Sequence, residues 1–252
     1  MRNALGTIYV LWLRQLKRYM RSRSRIIGSL GQPILFLVAL GFGLGPVFQK
    51  AGGGNYIQFL SPGVIAMSIL YTAIFSGIEM IWDRQFGFLK ETLVAPVPRL
   101  AIMIGRTLGG ATTAVIQGCI VLALAFFVGF RPESGLSLLL AVGFMFLLAT
   151  LFSAAGTALA SVLEDMQGFQ LIMNFLVMPL FFLSGSIFPL DSLPKIMVIV
   201  VRLNPMAYGV DALRGVLANS SHFGLGVDAL ILSGVTSGFL LLGSYLFSKI
   251  EA

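Results

Sequence analysis

The acidic side chains that could do chemistry in this sequence lie at the ends of apolar runs. Glu79 and Asp83 are one helical turn apart at the end of one run, and Asp228 stands at the start of another. A proton or cation pathway usually needs acids or histidines near the middle of membrane spans. The chain has one histidine and one cysteine. The sequence therefore predicts no catalytic residue, no metal site and no disulfide within the chain.

Glu79 is the acid that most needs a partner, because it is placed slightly inside an apolar run. A charge in such a position is tolerated only beside a counter-charge or water. Arg84 follows five residues later, and the first 25 residues carry several further arginines. We predict an ion pair from Glu79 to Arg84 or to one of those N-terminal arginines. Asp228 is predicted to stabilise a helix N-terminus as a capping or interface acid.

A short charged loop, residues 82–100, separates two long apolar runs and could bind a soluble protein. Its apolar residues recur at helical spacing, and they are Phe86, Leu89, Leu93 and Val97. Arg84 and Glu91 fall on the opposite side. Pro96 and Pro98 end the pattern, because proline disfavours helical geometry in the residue before it. The loop is predicted to contain a short amphipathic helix, either a docking segment or an ordinary interfacial helix.

The composition is that of an integral membrane protein. Of the 252 residues, 57% are hydrophobic and 11% are charged, whereas a soluble domain has roughly 25% charged residues. The long runs are continuously apolar instead of alternating, which favours helices over membrane strands. The predicted fold class is an all-α integral membrane protein. Its net charge of +7 suits a membrane surface better than nucleic acid, because the basic residues concentrate near the N-terminus.

Six apolar runs are long enough to cross a hydrocarbon core, which takes about 20 residues. The predicted transmembrane helices are Ile26 to Pro46, Leu60 to Trp82, Thr107 to Phe130, Leu136 to Leu163, Phe169 to Phe188 and Val227 to Phe247. Placing both termini in the cytoplasm puts twelve of the 17 basic residues inside and five outside, in agreement with the positive-inside rule. Gly105, Gly109 and Gly156 are among small residues spaced for close helix packing.

The first 25 residues predict an amphipathic helix at the membrane interface. One stripe is apolar and aromatic, and comprises Leu5, Ile8, Tyr9, Trp12, Leu16, Tyr19 and Met20. The opposite arc is basic, and comprises Arg14, Lys17, Arg18 and Arg21. The stripe suits the acyl boundary, and the arc suits anionic lipid or a protein. Basic residues continue to Arg25, directly before the first apolar run, so no secretory signal is expected.

Residues 189–226 form a long loop that contains a short apolar run, 196–203. Eight residues are too few to span a membrane. The run therefore lies in the interface or enters the membrane and returns, and the sequence leaves both possibilities open. In the helix expected after Asn204 and Pro205, Asp211 and Arg214 are three residues apart. This spacing predicts a local ion pair.

Two segments of the sequence resemble the type-2 ABC transporter permeases. In the charged loop the matching positions are Asp83, Arg84, Gly87, Leu89, Glu91, Leu93, Pro96 and Arg99. The later loop matches the family's C-terminal signature at Leu183 to Pro189, Leu193 and Pro194, Leu203 to Met206, Asp211 and Arg214. Among the subgroups, the chain looks most similar to the daunorubicin-resistance-type drug and lipid efflux permeases.

The resemblance implies the permease subunit of an ATP-driven exporter in the cell (inner) membrane. The charged loop would form the coupling helix that docks on a separate ATP-binding cassette subunit. That partner would bind ATP and magnesium, so no cofactor is expected in this chain. The sequence has no G-x-x-x-x-G-K-[ST] phosphate loop, and the chain itself is not expected to be an enzyme. Two permeases, identical or different, would pair, with both termini cytoplasmic.

The resemblance also implies one permease domain, 1–252. Its parts are an interfacial (elbow) helix 1–25, spans one and two 26–82, a coupling loop 83–100, spans three to five 101–188, an exterior re-entrant loop with short helices 189–226, and span six with the C-terminus 227–252. In relatives the second and fifth spans line the central cavity. The positions expected on this path are Tyr71, Phe75, Asn174, Met178 and Phe182. They would suit an amphipathic drug, lipid or glycan-like substrate.

Functions of two other classes stay open on the sequence alone. An ion-coupled secondary transporter would need ionisable groups near the middle of its spans, and commonly shows a repeat between its halves. A membrane-embedded enzyme would need convergent His, Asp, Glu or Ser residues near the interface. The sequence favours the ATP-driven permease over both.

Overall fold

A computed structural model describes residues 2–52, 54–87, 97–190 and 194–248. In these ranges the chain forms nine helices. Their bounds are α1 Arg2–Arg21, α2 Arg23–Lys50, α3 Tyr56–Gln85, α4 Arg99–Val128, α5 Gly135–Val162, α6 Met166–Phe182, α7 Lys195–Leu203, α8 Pro205–Ala218 and α9 Leu225–Ser248. The α3 helix is interrupted at Ser76 and Gly77, between its segments Tyr56–Phe75 and Ile78–Gln85. The helical fold class is confirmed.

Five of these helices are long and apolar enough to cross a membrane, namely α2, α3, α4, α5 and α9. They correspond to the first four predicted spans and the sixth. The predicted fifth span, 169–188, differs, because α6 begins earlier and ends at Phe182 after 17 residues. That length is at the lower limit for a span. The backbone is no longer helical at Leu183 (φ −92°, ψ 23°). Beyond it Gly185 adopts φ +75°, a left-handed conformation that glycine tolerates.

The α7 and α8 helices form a bent pair with an angle of 90° between them. Together they are as long and apolar as a span, so the pair is either a broken span or a re-entrant loop. Such a bend is tolerated only where the freed backbone groups find partners. At the bend, Asn204 Oδ1 accepts from the Met206 N–H, and Tyr208 Oη donates to the Arg202 carbonyl oxygen at 2.7 Å. Asn204 Nδ2 also ties the bend to the end of α6, because it donates to the carbonyl oxygens of Leu180 (2.7 Å) and Leu183 (3.0 Å).

The centre of the bundle is α3. Of its most apolar 18-residue window, 72% is buried inside the chain, whereas the corresponding share is 17% for α2 and for α9. Leu60, Ile65 and Leu70 of α3 have no exposed surface. The α2 and α9 helices therefore present most of their apolar surface outwards, where lipid or another membrane protein would cover it.

Glycines set the closest contacts between helices. A Cβ atom added at Gly105 or Gly109 of α4 would meet atoms of α1. Where α3 is interrupted, Gly77 lies against Gly156 of α5, and a Cβ atom on either glycine would overlap a carbonyl oxygen of the other helix. The predicted role of Gly105, Gly109 and Gly156 in close packing is confirmed, and Gly77 joins them.

The amphipathic helix α1 is confirmed, and it follows α4 over about three turns. Trp12 Nε1 donates to Thr112 Oγ1 at 2.9 Å, and Tyr19 Oη donates to Gln117 Oε1 at 2.7 Å further along α4. Burial raises the pKa of the Tyr19 phenol, and the charge of Arg25 offsets part of this effect. The phenol therefore remains protonated and keeps its role as donor. The amphipathic pattern did not predict this polar seam between α1 and α4.

Candidate functional site

A group of paired charges lies where α1, α3 and α4 meet, at the start of the charged loop. Its centre is Asp83, in the last turn of α3, which is 3% exposed. Asp83 Oδ1 accepts from Arg14 Nη2 of α1 at 2.6 Å, and Oδ2 accepts from Arg106 Nη2 of α4 at 2.7 Å. These are short, charge-assisted hydrogen bonds. One carboxylate therefore joins three helices.

Glu79 carries the other ion pairs of this group, one turn before Asp83. Arg18 Nη1 lies 3.4 Å from Oε2 of Glu79, and Arg25 Nη1 lies 3.5 Å from Oε1. The predicted pair from Glu79 to an arginine of the N-terminal segment is confirmed. The alternative partner, Arg84, is wrong, because in the described part of the chain its guanidinium donates to backbone carbonyls instead.

The two acids and their four arginines form what is here called the ion-pair cluster: Glu79, Asp83, Arg14, Arg18, Arg25 and Arg106. Its arginines differ in burial, since the Arg106 side chain is 9% exposed and the Arg18 side chain is 42% exposed. Removing one partner of a buried pair costs about 3–5 kcal/mol, whereas an exposed pair contributes about 0–1 kcal/mol. We therefore call Asp83 with Arg106 the firm half of the cluster, because breaking this pair is costly. Glu79 with Arg18 and Arg25 is the adjustable half, because breaking these pairs costs little.

Arg84 ties the start of the charged loop to α5. Its Nη1 and Nη2 donate at 3.2 Å to the carbonyl oxygens of Leu163 and Ser161, at the C-terminal end of that helix. A cation is favourable there, because the last carbonyls of a helix carry partial negative charge. Gln85 Nε2 donates to the Glu164 carbonyl oxygen at 3.4 Å. The sequence offered no signal for these contacts, since backbone acceptors look alike in sequence.

The remaining loop positions are only partly described. Gly87 ends α3 with φ +82°, and Arg99 begins α4, where its guanidinium lies 5.8 Å from the ring centre of Phe247 in α9. Leu89, Glu91, Leu93 and Pro96 lie outside the described residues. The amphipathic helix predicted for the middle of this loop therefore stays a prediction.

The residues predicted to line a substrate path fall into two groups. Tyr71 and Phe75 of α3 are stacked, with ring centres 6.1 Å apart, and both are half-buried. Asn174, Met178 and Phe182 are exposed on α6, on the flank next to its buried face of Phe169, Met173, Val177 and Phe181. The α6 group therefore lies on a surface that this chain leaves open. Its assignment to a substrate path stays a prediction.

At the opposite end of α3, two charged residues of α8 form hydrogen bonds to backbone groups of other segments. Arg214 Nη2 donates to the carbonyl oxygens of Phe59 (3.3 Å) and Gly185 (3.0 Å), and its guanidinium lies 3.9 Å from the Phe59 ring centre. Asp211 accepts from two backbone N–H groups of the loop after α8, each at 2.8 Å. The predicted local ion pair is wrong: in the described residues Asp211 and Arg214 do not pair, because each serves a different loop.

Asp228 is in the first turn of α9, as predicted, but it is fully buried. Neither of its carboxylate oxygens has a hydrogen-bond partner among the described residues. The expectation of an interface acid is therefore wrong. In the same ranges, no group of three His, Cys, Asp or Glu side chains is placed to hold a metal ion.

The family model described as ABC-2 type transporter matches residues 7–218 of this chain. The match runs from α1 to the end of α8 and includes the whole ion-pair cluster. This chain belongs to the ABC-2 type transporter family. It is accordingly a multi-pass membrane protein and a transport permease subunit, and ABC-2 type permeases in general have a separate ATP-binding partner.

Several named proteins are similar to this ABC-2 type chain over most of its length. A chain described as a transport permease, ycf38 of Cyanophora paradoxa, is 29% identical over 259 residues, covering 96% of this chain and 88% of ycf38. Nodulation protein J of Rhizobium meliloti (strain 1021) is 29% identical over 219 residues, covering 85% and 83%. The inner membrane transport permease YadH of Escherichia coli (strain K12) is 29% identical over 210 residues, covering 81% and 80%.

Proposed function

We propose that this chain is the permease subunit of an ATP-driven exporter, and that its ion-pair cluster transmits ATPase movement to the spans. One observation carries the proposal. Asp83 joins α1, α3 and α4 through hydrogen bonds of 2.6 and 2.7 Å, at the first position of the loop that resembles a coupling helix. A displacement of that loop would therefore act on three helices through one buried carboxylate.

The neighbouring contacts extend this transmission to further helices. Arg84 links the start of the loop to the end of α5. Arg99 follows the loop and contacts Phe247 of α9. A force applied between residues 84 and 99 would reach α5 and α9 by these two routes, while Asp83 would pass it to α1 and α4. Binding and hydrolysis of ATP with magnesium would take place on the partner subunit, and this chain would contribute no cofactor and no catalytic residue.

The open apolar surfaces support the pairing of two permeases, as a homodimer or a heterodimer. The α2 helix is 17% buried in its most apolar window, and the outward side of α6 carries Asn174, Met178 and Phe182. Between two copies, these residues together with Tyr71 and Phe75 would line the path. Apolar and aromatic surfaces with a single amide suit an amphipathic drug, lipid or glycan-like substrate. Export would move it out of the cytoplasm or the inner leaflet.

The proposed orientation places both termini in the cytoplasm, as the distribution of basic residues predicts. Single cysteines introduced at Gly52 and His222, in a chain carrying Cys119→Ala, should react with a membrane-impermeant maleimide added to intact cells. Cysteines at Glu164 and Ala252 should react only after the membrane is opened. The reverse pattern would contradict the orientation and would place the charged loop on the wrong side for an ATPase.

The coupling assignment is tested by charge reversal in the loop. Glu91→Lys should weaken co-purification of the ATPase subunit, or leave ATP turnover running without transport, because it places an unpaired charge at a protein contact. Glu133→Lys is the matched control, since Glu133 is an exposed acid in the connection between α4 and α5. Normal export by both Glu91→Lys and Arg84→Glu, with the ATPase fully bound, would show that the loop is an interfacial helix without a partner.

The same assay separates ATP-driven export from an ion-coupled secondary transporter. Export by the proposed complex should stop when a Walker-type lysine of the ATPase partner is replaced and should survive an uncoupler that collapses the proton gradient. The opposite result would support the secondary transporter.

A further inference from the structure

A cavity of about 620 Å³ opens between α1, the start of α2 and the end of α3. It has two unlike walls. The polar wall is formed by Arg18, Arg25 and Glu79, and the apolar wall by Phe75, Ile78 and Trp82. A ligand that fills it must therefore satisfy charge on one side and apolar surface on the other.

The polar wall carries an excess of positive charge. Arg18 and Arg25 share one carboxylate, at 3.4 and 3.5 Å from its oxygens. These distances exceed the 2.6 and 2.7 Å found at Asp83, so the Glu79 pairs are loose. Each guanidinium has five N–H donors in a fork that matches a phosphate. The side chains of Arg18 and Arg25 are 42% and 40% exposed, so both are accessible from the cavity.

The apolar wall suits the part of a lipid just below its headgroup. Trp82 is 47% exposed, although it is a large aromatic residue, and its ring centre lies 5.5 Å from that of Phe86. Tryptophan is enriched at the membrane–water boundary because its ring is apolar and its N–H is polar. Phe75 and Ile78 continue this wall along α3, towards the middle of the helix.

We propose that this cavity binds the phosphate headgroup of an anionic phospholipid, with the start of an acyl chain lying along Phe75, Ile78 and Trp82. Free phosphate would satisfy the arginines but would leave the apolar wall in water. A zwitterionic lipid would bring its own cation against Arg18 and Arg25. The site shares Arg18, Arg25 and Glu79 with the ion-pair cluster, but lipid binding is measured on the permease alone, without the ATPase or transport. Its failure would therefore leave the coupling assignment untouched.

Trp82 provides a reporter inside the proposed site. The sequence contains two tryptophans, so Trp12→Phe leaves Trp82 as the sole fluorophore. The full chain with this substitution is placed in nanodiscs of phosphatidylcholine, and brominated phosphatidylglycerol is titrated in. Bromine quenches tryptophan only at close range. We expect saturable quenching by brominated phosphatidylglycerol and weak, proportional quenching by brominated phosphatidylcholine.

Two variants of equal charge test whether the cavity is responsible. Arg25→Gln should weaken apparent lipid binding about fivefold or more, as expected when a direct hydrogen bond to a charged phosphate is lost. Arg23→Gln removes the same charge two residues away, from an exposed arginine that does not line the cavity. It should leave binding within about twofold of the parent, because at physiological salt an exposed charge without a direct contact is largely screened. Glu79→Gln should strengthen binding, because it removes the acid that competes for both arginines. If Arg25→Gln does not fold, Arg18→Gln takes its place.

Each result decides the proposal. Selective quenching that is lost in Arg25→Gln and retained in Arg23→Gln supports it. Equal losses in both variants would show general surface electrostatics and overturn it. Displacement of the lipid by millimolar inorganic phosphate would assign the arginines to the free anion and would also overturn it. Unchanged quenching in Arg25→Gln, together with loss of ATPase binding, would identify the cavity as a protein contact instead.

Discussion

The two ends of α3 are held by different chemistry. At the Asp83 end, side chains pair with side chains: one carboxylate accepts from Arg14 and Arg106. At the Tyr56 end, side chains hold backbone. Tyr56 Oη donates to the carbonyl oxygen of Ile187 at 3.2 Å, and Arg214 donates to two further carbonyls. The first end joins helices chiefly by paired charges, and there Arg84 and Gln85 also donate to backbone carbonyls where α5 ends. The second end fixes loops by hydrogen bonds from side chains to backbone.

The difference follows from what each end must satisfy. The turn after α6 and the α7–α8 bend bury irregular backbone, and buried backbone groups require fixed partners. Side-chain bonds to those groups therefore specify one arrangement. At the Asp83 end the helices are regular and the requirement is charge balance. Four arginines around two acids can exchange partners without breaking any backbone hydrogen bond. We infer that the helices at the Asp83 end can move relative to one another, whereas the loops at the Tyr56 end stay in one arrangement.

The largest expected effect is at Asp83. Asp83→Asn should lower the free energy of unfolding by about 3–5 kcal/mol, because Arg106 would stay buried without a counter-charge. The change is measured by thermal or denaturant unfolding of the purified chain in detergent. Glu133→Gln is the control, as an exposed acid away from the cluster, and should change stability by less than about 0.5 kcal/mol. A loss of less than about 1 kcal/mol in Asp83→Asn would show that the Asp83 ion pairs are as weak as exposed ion pairs.

The next effect is at the backbone-holding end. Arg214→Lys should cost about 2–3 kcal/mol, because lysine keeps the charge but cannot reproduce the forked hydrogen bonds and the stacking on Phe59. The expected signature is local: hydrogen exchange should rise around residues 185–187, with little change near Asp83. Equal increases at both ends of α3 would contradict the separation of the two ends.

A smaller effect is expected at Glu79. Glu79→Gln should cost less than about 1 kcal/mol, because its ion pairs are long and its arginines are half-exposed. The difference from the parent chain should shrink further at high salt, which screens exposed charges. A cost as large as that of Asp83→Asn, or one that salt does not change, would remove the distinction between a firm and an adjustable half of the cluster.

The smallest structural effect is expected on the outward side of α6. Asn174→Ala should leave stability within about 0.5 kcal/mol of the parent, because the side chain is exposed. If Asn174 lines the substrate path, the same variant should change the relative export of different substrates while ATPase binding stays intact. An unchanged substrate profile would remove Asn174 from the path.

The long helices could be predicted from sequence because each is a continuous apolar run of sufficient length. The end of α6 could not, since residues 183–188 are apolar enough to continue a span. The backbone leaves helical geometry at Leu183 (φ −92°, ψ 23°), and Gly185 is left-handed beyond it, and hydropathy records neither conformation. The re-entrant alternative for residues 196–203 depended on whether their backbone would find partners, and in the folded chain Tyr208 Oη donates to the Arg202 carbonyl oxygen at 2.7 Å.

The ion-pair cluster could be predicted only in part, because the sequence shows which charges need partners but not which helices pack together. Glu79 lay inside an apolar run, so its need for an arginine was evident. Arg106 gave no such signal, because a basic residue near the end of a span is ordinary, and only the packing of α3 on α4 brings it to Asp83. For Asp211 and Arg214, spacing along one helix suggested a pair, but the surrounding loops present better-placed partners to each. Spacing along the sequence identifies side chains that are neighbours on one helix. It does not identify groups of other segments that bind the same side chains in the folded chain.

The interruption of α3 at Ser76 and Gly77 has a mechanical consequence. Gly77 lies against Gly156 with no side chain between the two backbones, so this point can act as a fulcrum. The segment Ile78–Gln85 forms an arm of about 12 Å and the segment Tyr56–Phe75 an arm of about 30 Å, at 1.5 Å per residue. If α3 pivots as a rigid lever, a displacement of 1 Å at Gln85 becomes about 2.5 Å at Tyr56. If the interruption flexes instead, the short arm moves and the long arm stays at rest.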